Sequence, residues 1–402
     1  MTTTLVLLAA AAVCGFFYFR PKVLQSGFCR ATVTPLASII GSGFLVAGPI
    51  LAHAAGHLAW VAMLGLCLLG LLFGSAIRYN IRYVETEIDQ PVHGFAVPFE
   101  RVAEAVLAVA YFISVTYYLN LFAAFALRSV GMEDPYYTRV VASAVICGLG
   151  ALGLYRGLKG LERVEIFAVG LKLSLIGGLI AVLVVAAGEG VAEGTYAWRM
   201  DGPSPSLQEI QILLGLVILV QGFETSRYLG ESYDRETRVR SMRLAQWFST
   251  GVYVLFIVLI TAYFTEAVES SAGETAIIDI LAPLGSIIAP VIIVMALSSQ
   301  LSAAVADING AAGLLAEGSG QRIPVAIGNG ITALGALAIT WSANIYEIIA
   351  YASKAFVAYY ALQAALATYA AWRRGDKVCV GVYALAVVIA VGIVLFAVPA
   401  DV

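Results

Sequence analysis

Charge is scarce in this chain. Asp, Glu, Lys and Arg make up 12% of its 402 residues, against about 25% in an ordinary soluble domain. Histidine is rarer still, with three copies, and the five cysteines (Cys14, Cys29, Cys67, Cys147, Cys379) are scattered with no C-x-x-C pair. That spacing builds neither a disulfide framework nor a metal centre, and no metal or cofactor is expected. His53 and His57 stand four apart, as helix-borne ligands can, but no third ligand accompanies them. No basic tract points to nucleic acid. The apolar segments carry no cluster of His, Asp or Cys of the kind a membrane enzyme needs, and no long polar segment offers a soluble signalling domain.

What fills the chain instead is apolar: 61% of residues are hydrophobic and the mean hydropathy is +0.90. The core of a water-soluble fold cannot absorb that much apolar surface, but a bilayer can. Windows of about 20 apolar residues fit a membrane helix. They fall near 3–19, 32–53, 58–78, 102–129, 137–155, 165–187, 207–229, 245–264, 282–304, 323–341, 346–371 and 379–398. The expectation is an all-α, multi-pass integral membrane protein of about twelve spans.

Basic residues orient the spans. Of 23 Lys and Arg, eighteen fall on links of one side, from Arg20, Lys22 and Arg30 to Arg373, Arg374 and Lys377, with Arg227, Arg235, Arg238, Arg240 and Arg243 among them. Arg128, Arg139 and Arg199 fall on the other, and Lys172 and Lys354 lie inside spans. The basic side is read as cytoplasmic in a bacterial-type inner membrane, which puts both termini outside. The apolar run Thr4 to Phe19 has no basic residue before it, whereas Arg20 and Lys22 follow it. That arrangement predicts a retained anchor helix rather than a cleaved signal peptide.

Two spans are interrupted by glycine at corresponding places. One reads Ile40-Gly41-Ser42-Gly43-Phe44, the other Gln221-Gly222-Phe223-Glu224, and each opens a run of five apolar segments. Matched interruptions in two halves are the sequence mark of a transporter's binding site. Unwound backbone at membrane depth is tolerated only inside protein or along a cavity. A broken helix exposes N–H groups on one side and C=O groups on the other, and its N–H end favours a carboxylate. Gly41, Ser42 and Gly43 can bring amides to such a group, and the carbonyls near Ile40 and from Ile218 to Gln221 suit an α-amino group. Together they read a zwitterion without charged side chains. Close helix packing is the other use of Gly41 and Gly43. Glu224 is an acid at membrane depth, where acids are costly and functional. It can take up or release a proton, or else cap a helix end. Lys354, in Ala352-Ser353-Lys354-Ala355, is a second intramembrane charge. It pairs with Glu224 or Asp307, meets an anionic group of the substrate, or forms an ion pair on a packing face.

With the spans placed, the chain resembles the amino acid–polyamine–organocation (APC) superfamily of secondary transporters over about residues 31–375. Four stretches carry the resemblance: Ile40 to Phe44; Gly157-Leu158-Lys159-Gly160 with the following Lys172; Gln221 to Glu224 with Glu231; and Ala311 to Pro324. It implies a LeuT-type fold, a five-plus-five inverted repeat with discontinuous first and sixth core helices. Residues 1–30 would form an extra helix and basic link, 31–190 the first repeat, 205–372 the second, and 373–402 a peripheral helix. Members commonly keep both termini inside, so one peripheral helix has moved to the front here. The resemblance also places the Lys172 ammonium where sodium-coupled relatives hold sodium, between the carbonyls of Ala37 to Ile40 and the hydroxyls of Ser298, Ser299 and Ser302. That argues for proton coupling or exchange. Snorkelling to the interface is the alternative use of Lys172. Ile218 stands where many members carry an aromatic gate, and Phe44, Phe223, Tyr117 or Tyr118 can take that part. The implied function is alternating-access transport of an amino acid or related small amine, a neutral one in preference, with the bilayer and protons as further partners. The same fold carrying an ion or a nucleobase, or a transport-dead sensor or assembly protein, is the alternative. A metal-ion carrier of the natural-resistance type would need Asp-Pro-Gly at the first break, and this chain has none.

Overall fold

The computed structural model describes residues 2–41, 43–85, 96–155, 162–194, 206–230, 232–264 and 273–400. Ser42, Glu231, Arg199 and the Gly157–Gly160 stretch lie outside the described residues. Helix dominates, and no strand forms among the described residues. This is what lipid requires of a spanning chain, because a helix satisfies its own backbone donors and acceptors.

In chain order the α-helices are α1 (Thr2–Tyr18), the short α2 (Pro21–Gln25), α3 (Gly27–Ile39), α4 (Gly43–Ala55), α5 (Ala59–Tyr83), α6 (Ala96–Arg128), α7 (Pro135–Tyr155), α8 (Glu162–Glu193) and α9 (Leu207–Leu214). Two 3-10 segments, Val217–Val220 and Phe223–Leu229, follow α9. The chain continues through α10 (Arg235–Thr261), α11 (Ile277–Leu281), α12 (Ile288–Gly318), α13 (Val325–Ser342), α14 (Ile345–Arg373) and α15 (Lys377–Phe396). Among the described residues, eight stretches are long and apolar enough to cross a membrane, the first running from Gly27 through both α3–α4 and α5 to Tyr83.

Local sequence sets the helix starts. Ser206 and Glu209 close a capping box on α9, and Asn344 and Glu347 do the same for α14. Asp234 and Asp376 cap α10 and α15 through the amides of Thr237 (3.0 Å) and Cys379 (3.1 Å). Each cap supplies an acceptor for an otherwise unpaired first-turn donor. Two expected boundaries shift, the first of them for this reason. The span expected at 245–264 begins at Arg235, because the Asp234 cap and the Glu236–Arg240 pair (2.8 Å) carry the helix out beyond its apolar part. The span expected at 282–304 continues to Gly318. The span at 207–229 is not one helix at all.

Packing centres on α6, which lies against α12, α14, α7 and α13. Around it α5 packs on α10, α10 on α3, and α14 on α15. The N-terminal α1 docks on α8, where Cys14 and Leu7 sit over Gly177 and Gly178. Small residues let helix backbones approach in lipid, where no hydrophobic difference drives them together.

The basic residues gather at one end. Arg82 meets Glu236 at 2.8 Å, Arg238 meets Glu85 at 2.6 Å, and the Arg374 guanidinium lies 4.1 Å over the Tyr83 ring. These contacts tie the ends of α5 and α14 to the start of α10. At the opposite end Arg128 pairs with Glu133 and with Asp279 (2.6 Å). There a cavity of about 640 Å³ opens, with Asn120, Asp134, Arg139, Glu274 and Tyr346 in its lining.

Candidate transport site

Both glycine interruptions are real breaks. Helix α3 ends at Ile39, and Ile40 leaves helical geometry (φ −81°, ψ 37°) before α4 restarts at Gly43. On the second side α9 stops at Leu214, a single 3-10 turn carries Val217–Val220, Gln221 is extended, and Gly222 takes φ +115°. A side chain rarely adopts that left-handed value, so glycine is needed there.

The two breaks touch each other. A Cβ on Gly43 would stand 2.6 Å from the Leu219 carbonyl oxygen and 2.7 Å from its Cα. A Cβ on Gly222 would stand 2.6 Å from Ser38 Cβ and 2.8 Å from its carbonyl carbon. Each glycine therefore creates room for the backbone of the other half. The Tyr253 hydroxyl on α10 donates toward the carbonyls of Ile39 (2.9 Å) and Leu219 (2.7 Å), bridging the breaks. Two of the carbonyls in the neighbourhood expected to receive an amino group are thus already engaged. The reason is geometric: the breaks lie within one hydroxyl's reach.

The second break is lined by polar groups. Glu224 is fully buried. Its Oε2 accepts from the Gly222 amide (3.0 Å) and the Tyr360 hydroxyl (2.8 Å), while its Oε1 has no hydrogen-bond partner. Gln221 donates from Nε2 to the Tyr118 hydroxyl (2.7 Å), and its Oε1 also lacks a partner. The Ile218 amide, freed by the break, donates to Ser353 on α14 at 2.9 Å. Phe223 stacks on Tyr360 with centroids 5.0 Å apart, and Tyr360 stacks on Phe73 at 5.4 Å. Phe44 packs on Phe256 at 4.1 Å and on Tyr253 at 5.7 Å.

Lys172 on α8 is buried, and its Nζ donates to the Ala37 carbonyl at 2.7 Å, just before the first break. That contact draws the ammonium inward, away from the interface. The three serines of α12 part company. Ser299 is buried with a partnerless Oγ, Ser302 is half-buried, and Ser298 turns its hydroxyl back to the carbonyls of Val294 (2.8 Å) and Met295 (3.1 Å) on its own helix. Lys354 is half-buried, and among the described residues no ion pair joins it to Glu224 or Asp307, one of the partnerships expected for it. Glu224 and Asp307 instead take hydroxyl partners. Among the described residues no group of His, Cys, Asp or Glu could hold a metal ion.

Sequence reading missed several groups. Tyr253, Tyr360 and Ser353 sit in apolar runs that give no polar signal. Arg227 was counted with the loop charges, yet its side chain is 5% exposed and meets Glu100 of α6 at 2.9 Å. Gln363 of α14 joins both, accepting from Arg227 and donating to Glu100 at 3.2 Å, and Asn80 of α5 donates to Gln363 at 2.8 Å. Arg238 donates to the Arg227 carbonyl at 2.7 Å. This network ties the arginine-rich end of the second broken helix to α5, α6 and α14, and the cavity of about 640 Å³ lies at the opposite end.

Three comparisons extend over nearly the whole chain. A family profile described as "APC superfamily transporter" matches residues 21–397. An uncharacterized protein of Aquifex aeolicus (strain VF5) is 38% identical over 384 residues, covering 94% of this chain and 93% of its own. Among solved structures, Mhp1, a nucleobase-cation-symport-1 family transporter in a closed conformation with bromovinylhydantoin bound, aligns with a TM-score of 0.48 at 16% identity, over 91% of each chain. A family match spanning nearly every described helix, on a multi-pass helical protein with two touching helix breaks, places this chain in the APC superfamily of transporters.

Proposed function

We propose that the protein is a sodium-independent secondary transporter, proton-coupled or exchanging, that moves a neutral amino acid or related small amine by alternating access. The observation that carries the substrate class is the pair of partnerless buried acceptors beside Gly222, Gln221 Oε1 and Glu224 Oε1. Buried acceptors without donors are costly. An ammonium or amine supplies donors to both. The carboxylate of the same solute goes to the start of α4 at Gly43, where first-turn amides and the helix dipole favour an anion. The Lys172 ammonium on the Ala37 carbonyl provides a fixed positive charge beside the first break and supports sodium independence. With the arginine-rich end facing the cytoplasm, the cavity of about 640 Å³ is the external vestibule and both termini lie outside.

A thermal-shift screen of the purified protein against amino acids, small amines and, for contrast, nucleobases tests this reading. A ligand present at about a hundred times its Kd stabilises by ~2.7 kcal/mol. Gly43→Val is a poor control, because its side chain meets the Leu219 backbone. Gln221→Leu removes one acceptor at nearly constant volume. An amino acid should stabilise the wild type and lose its effect in Gln221→Leu. Stabilisation by nucleobases alone, or amino acid stabilisation that survives Gln221→Leu, overturns the assignment.

A further inference from the structure

One face of α6 carries a polar stripe. Glu100, Glu104, Tyr111, Ser114 and Tyr118 follow at intervals of 4, 7, 3 and 4 residues, the spacing that keeps side chains on one side of a helix. The stripe runs about 27 Å at the helical rise, from the arginine-rich end to the partner of Gln221. Glu100 takes Arg227 and Tyr118 takes Gln221. Between them Ser114 takes Asp307 of α12, donating its hydroxyl to Oδ2.

Asp307 is 5% exposed. It lies about 28 Å along α12 from Ile288 and about 16 Å from Gly318, at a depth where an acid is functional by default. The other buried acids have partners of their own. Glu100 faces a permanent cation. Glu224 receives the Gly222 amide and the Tyr360 hydroxyl on a single oxygen. Ser114 can serve either charge state of Asp307, because its hydroxyl has two acceptors in reach, Asp307 Oδ2 and, at 3.1 Å, the Tyr111 carbonyl. With Asp307 ionised, the serine proton points to Oδ2. When a proton arrives on Oδ2, the carboxyl donates to Ser114 Oγ and the serine proton turns to the Tyr111 carbonyl. No bond to carbon changes, one proton is gained, and no buried group is left without a partner.

We propose that Asp307 and Ser114 form a proton site, separate from Glu224, which carries the coupled proton; it rests on the proton-coupled reading of the transporter above. Among the described residues, titratable groups on the elements packed around it are these. From α6 come Tyr111 and Ser114, with the Tyr111 ring over Gly310, one turn along α12 from Asp307, and within electrostatic reach of both Asp307 and Glu224. From α8, packed on α12, comes Lys172; α13 brings no titratable side chain; α11 brings Asp279, held by Arg128 at the far end. Lys354 stands two residues before Phe356, which packs on Tyr111 at 5.9 Å. Toward the arginine-rich end the stripe continues to Glu104 and Glu100, giving the proton a polar direction of release.

Infrared difference spectroscopy tests this without knowledge of the substrate, with buffer protons as the only ligand. The full-length protein in nanodiscs is compared between mildly acidic and mildly alkaline buffer. The wild type should show a protonated-carboxyl C=O band that disappears on alkalinisation. Asp307→Asn should lose that band, and Glu224→Gln should keep it. Ser114→Ala, which retains the acid, should shift the band's frequency and midpoint, and it decides the matter if Asp307→Asn fails to fold. A band that persists in Asp307→Asn, or is unmoved in Ser114→Ala, overturns the proton site. A titrating Asp307 in a protein that no amino acid stabilises would leave this site standing and refute the substrate class instead.

Discussion

The buried network at the arginine-rich end, taken as a gate, predicts a large and directional response to one isosteric change, Glu100→Gln. The Arg227 and Glu100 side chains are 5% and 9% exposed. Removing one partner of a buried pair costs about 3–5 kcal/mol, because the other charge is left uncompensated. Gln363 still accepts from Arg227, which puts the expected value near the low end, ~3 kcal/mol. That penalty applies to the closed state, and it is relieved when the second broken helix swings outward and Arg227 reaches water. At ~1.4 kcal/mol per tenfold, the equilibrium should move roughly a hundredfold toward the state open at this end. Ser226, fully buried beside Arg227, reports the change. In a background lacking Cys14, Cys29, Cys67, Cys147 and Cys379, a cysteine in place of Ser226 is labelled with a membrane-impermeant maleimide from the arginine-rich side. Glu100→Gln should raise the labelling rate by about two orders of magnitude. The control is Glu236→Gln, which breaks the exposed Arg82 pair, with side chains 40% and 47% exposed, and also the pair with Arg240 inside α10, whose loss is common to both states. Such pairs contribute about 0–1 kcal/mol, so the rate should change less than about fivefold. Equal rates in Glu100→Gln and wild type, or equal effects of the two variants, would refute the gate.

Three further outcomes follow from the geometry. Tyr253→Phe strips the donor from two buried carbonyls and should destabilise the protein by about 1–3 kcal/mol; a thermal midpoint equal to wild type would show that the hydroxyl does not clamp the breaks. Gly222→Ala combines a left-handed φ with a Cβ 2.6 Å from Ser38 Cβ, for a cost of about 2–5 kcal/mol, whereas Gly65→Ala, with open space at its Cβ, should be neutral to stabilising by up to ~1 kcal/mol; heating followed by size-exclusion chromatography separates the two. The Asp234 carboxyl is held below its ordinary value by the Thr237 hydroxyl and amide. A depressed carboxyl stabilises above its unfolded value near 3.8 and loses that contribution as pH falls through the folded value beneath it. Hydrogen exchange of the first turn of α10 should therefore accelerate in that acid window, beyond the intrinsic pH dependence of exchange, and Asp234→Ala should abolish the extra step.

The breaks were legible because their signal is local. A glycine pair inside an apolar run, or Glu224 inside one, stands out without any knowledge of neighbours. The partners were not legible, since a hydroxyl at lipid depth has no period or charge to betray it. Tyr253 lies in Val252-Tyr253-Val254 and Tyr360 in Ala358-Tyr359-Tyr360-Ala361, and only the meeting of α10 and α14 with the breaks gives them work. Arg227 was misread for the opposite reason. Its charge marked it as a loop residue near a span end, but Glu100 and Gln363 from two other helices draw it inside. Charge along the chain reports depth only when no buried counter-charge waits across the fold. Lys172 was placed by the resemblance, and its contact with Ala37 required α8 to pass the end of α3.

The clamp at Tyr253 bears on how such a protein moves. One phenolic proton faces two carbonyls, Ile39 before the first break and Leu219 before the second. A single proton makes one strong bond at a time. If the two broken helices shift against each other, the hydroxyl can follow either carbonyl while the other turns to a different donor or to water. The shifted state then carries at most one unsatisfied carbonyl, a cost of about 1–3 kcal/mol, which any hydrogen-bond donor there would cancel. A rigid charge pair across the breaks would oppose that motion far more strongly. The polar contacts differ between the two levels of the molecule: a hydroxyl bridge that can be exchanged where the breaks meet, and a buried ion pair between Arg227 and Glu100 at the arginine-rich end.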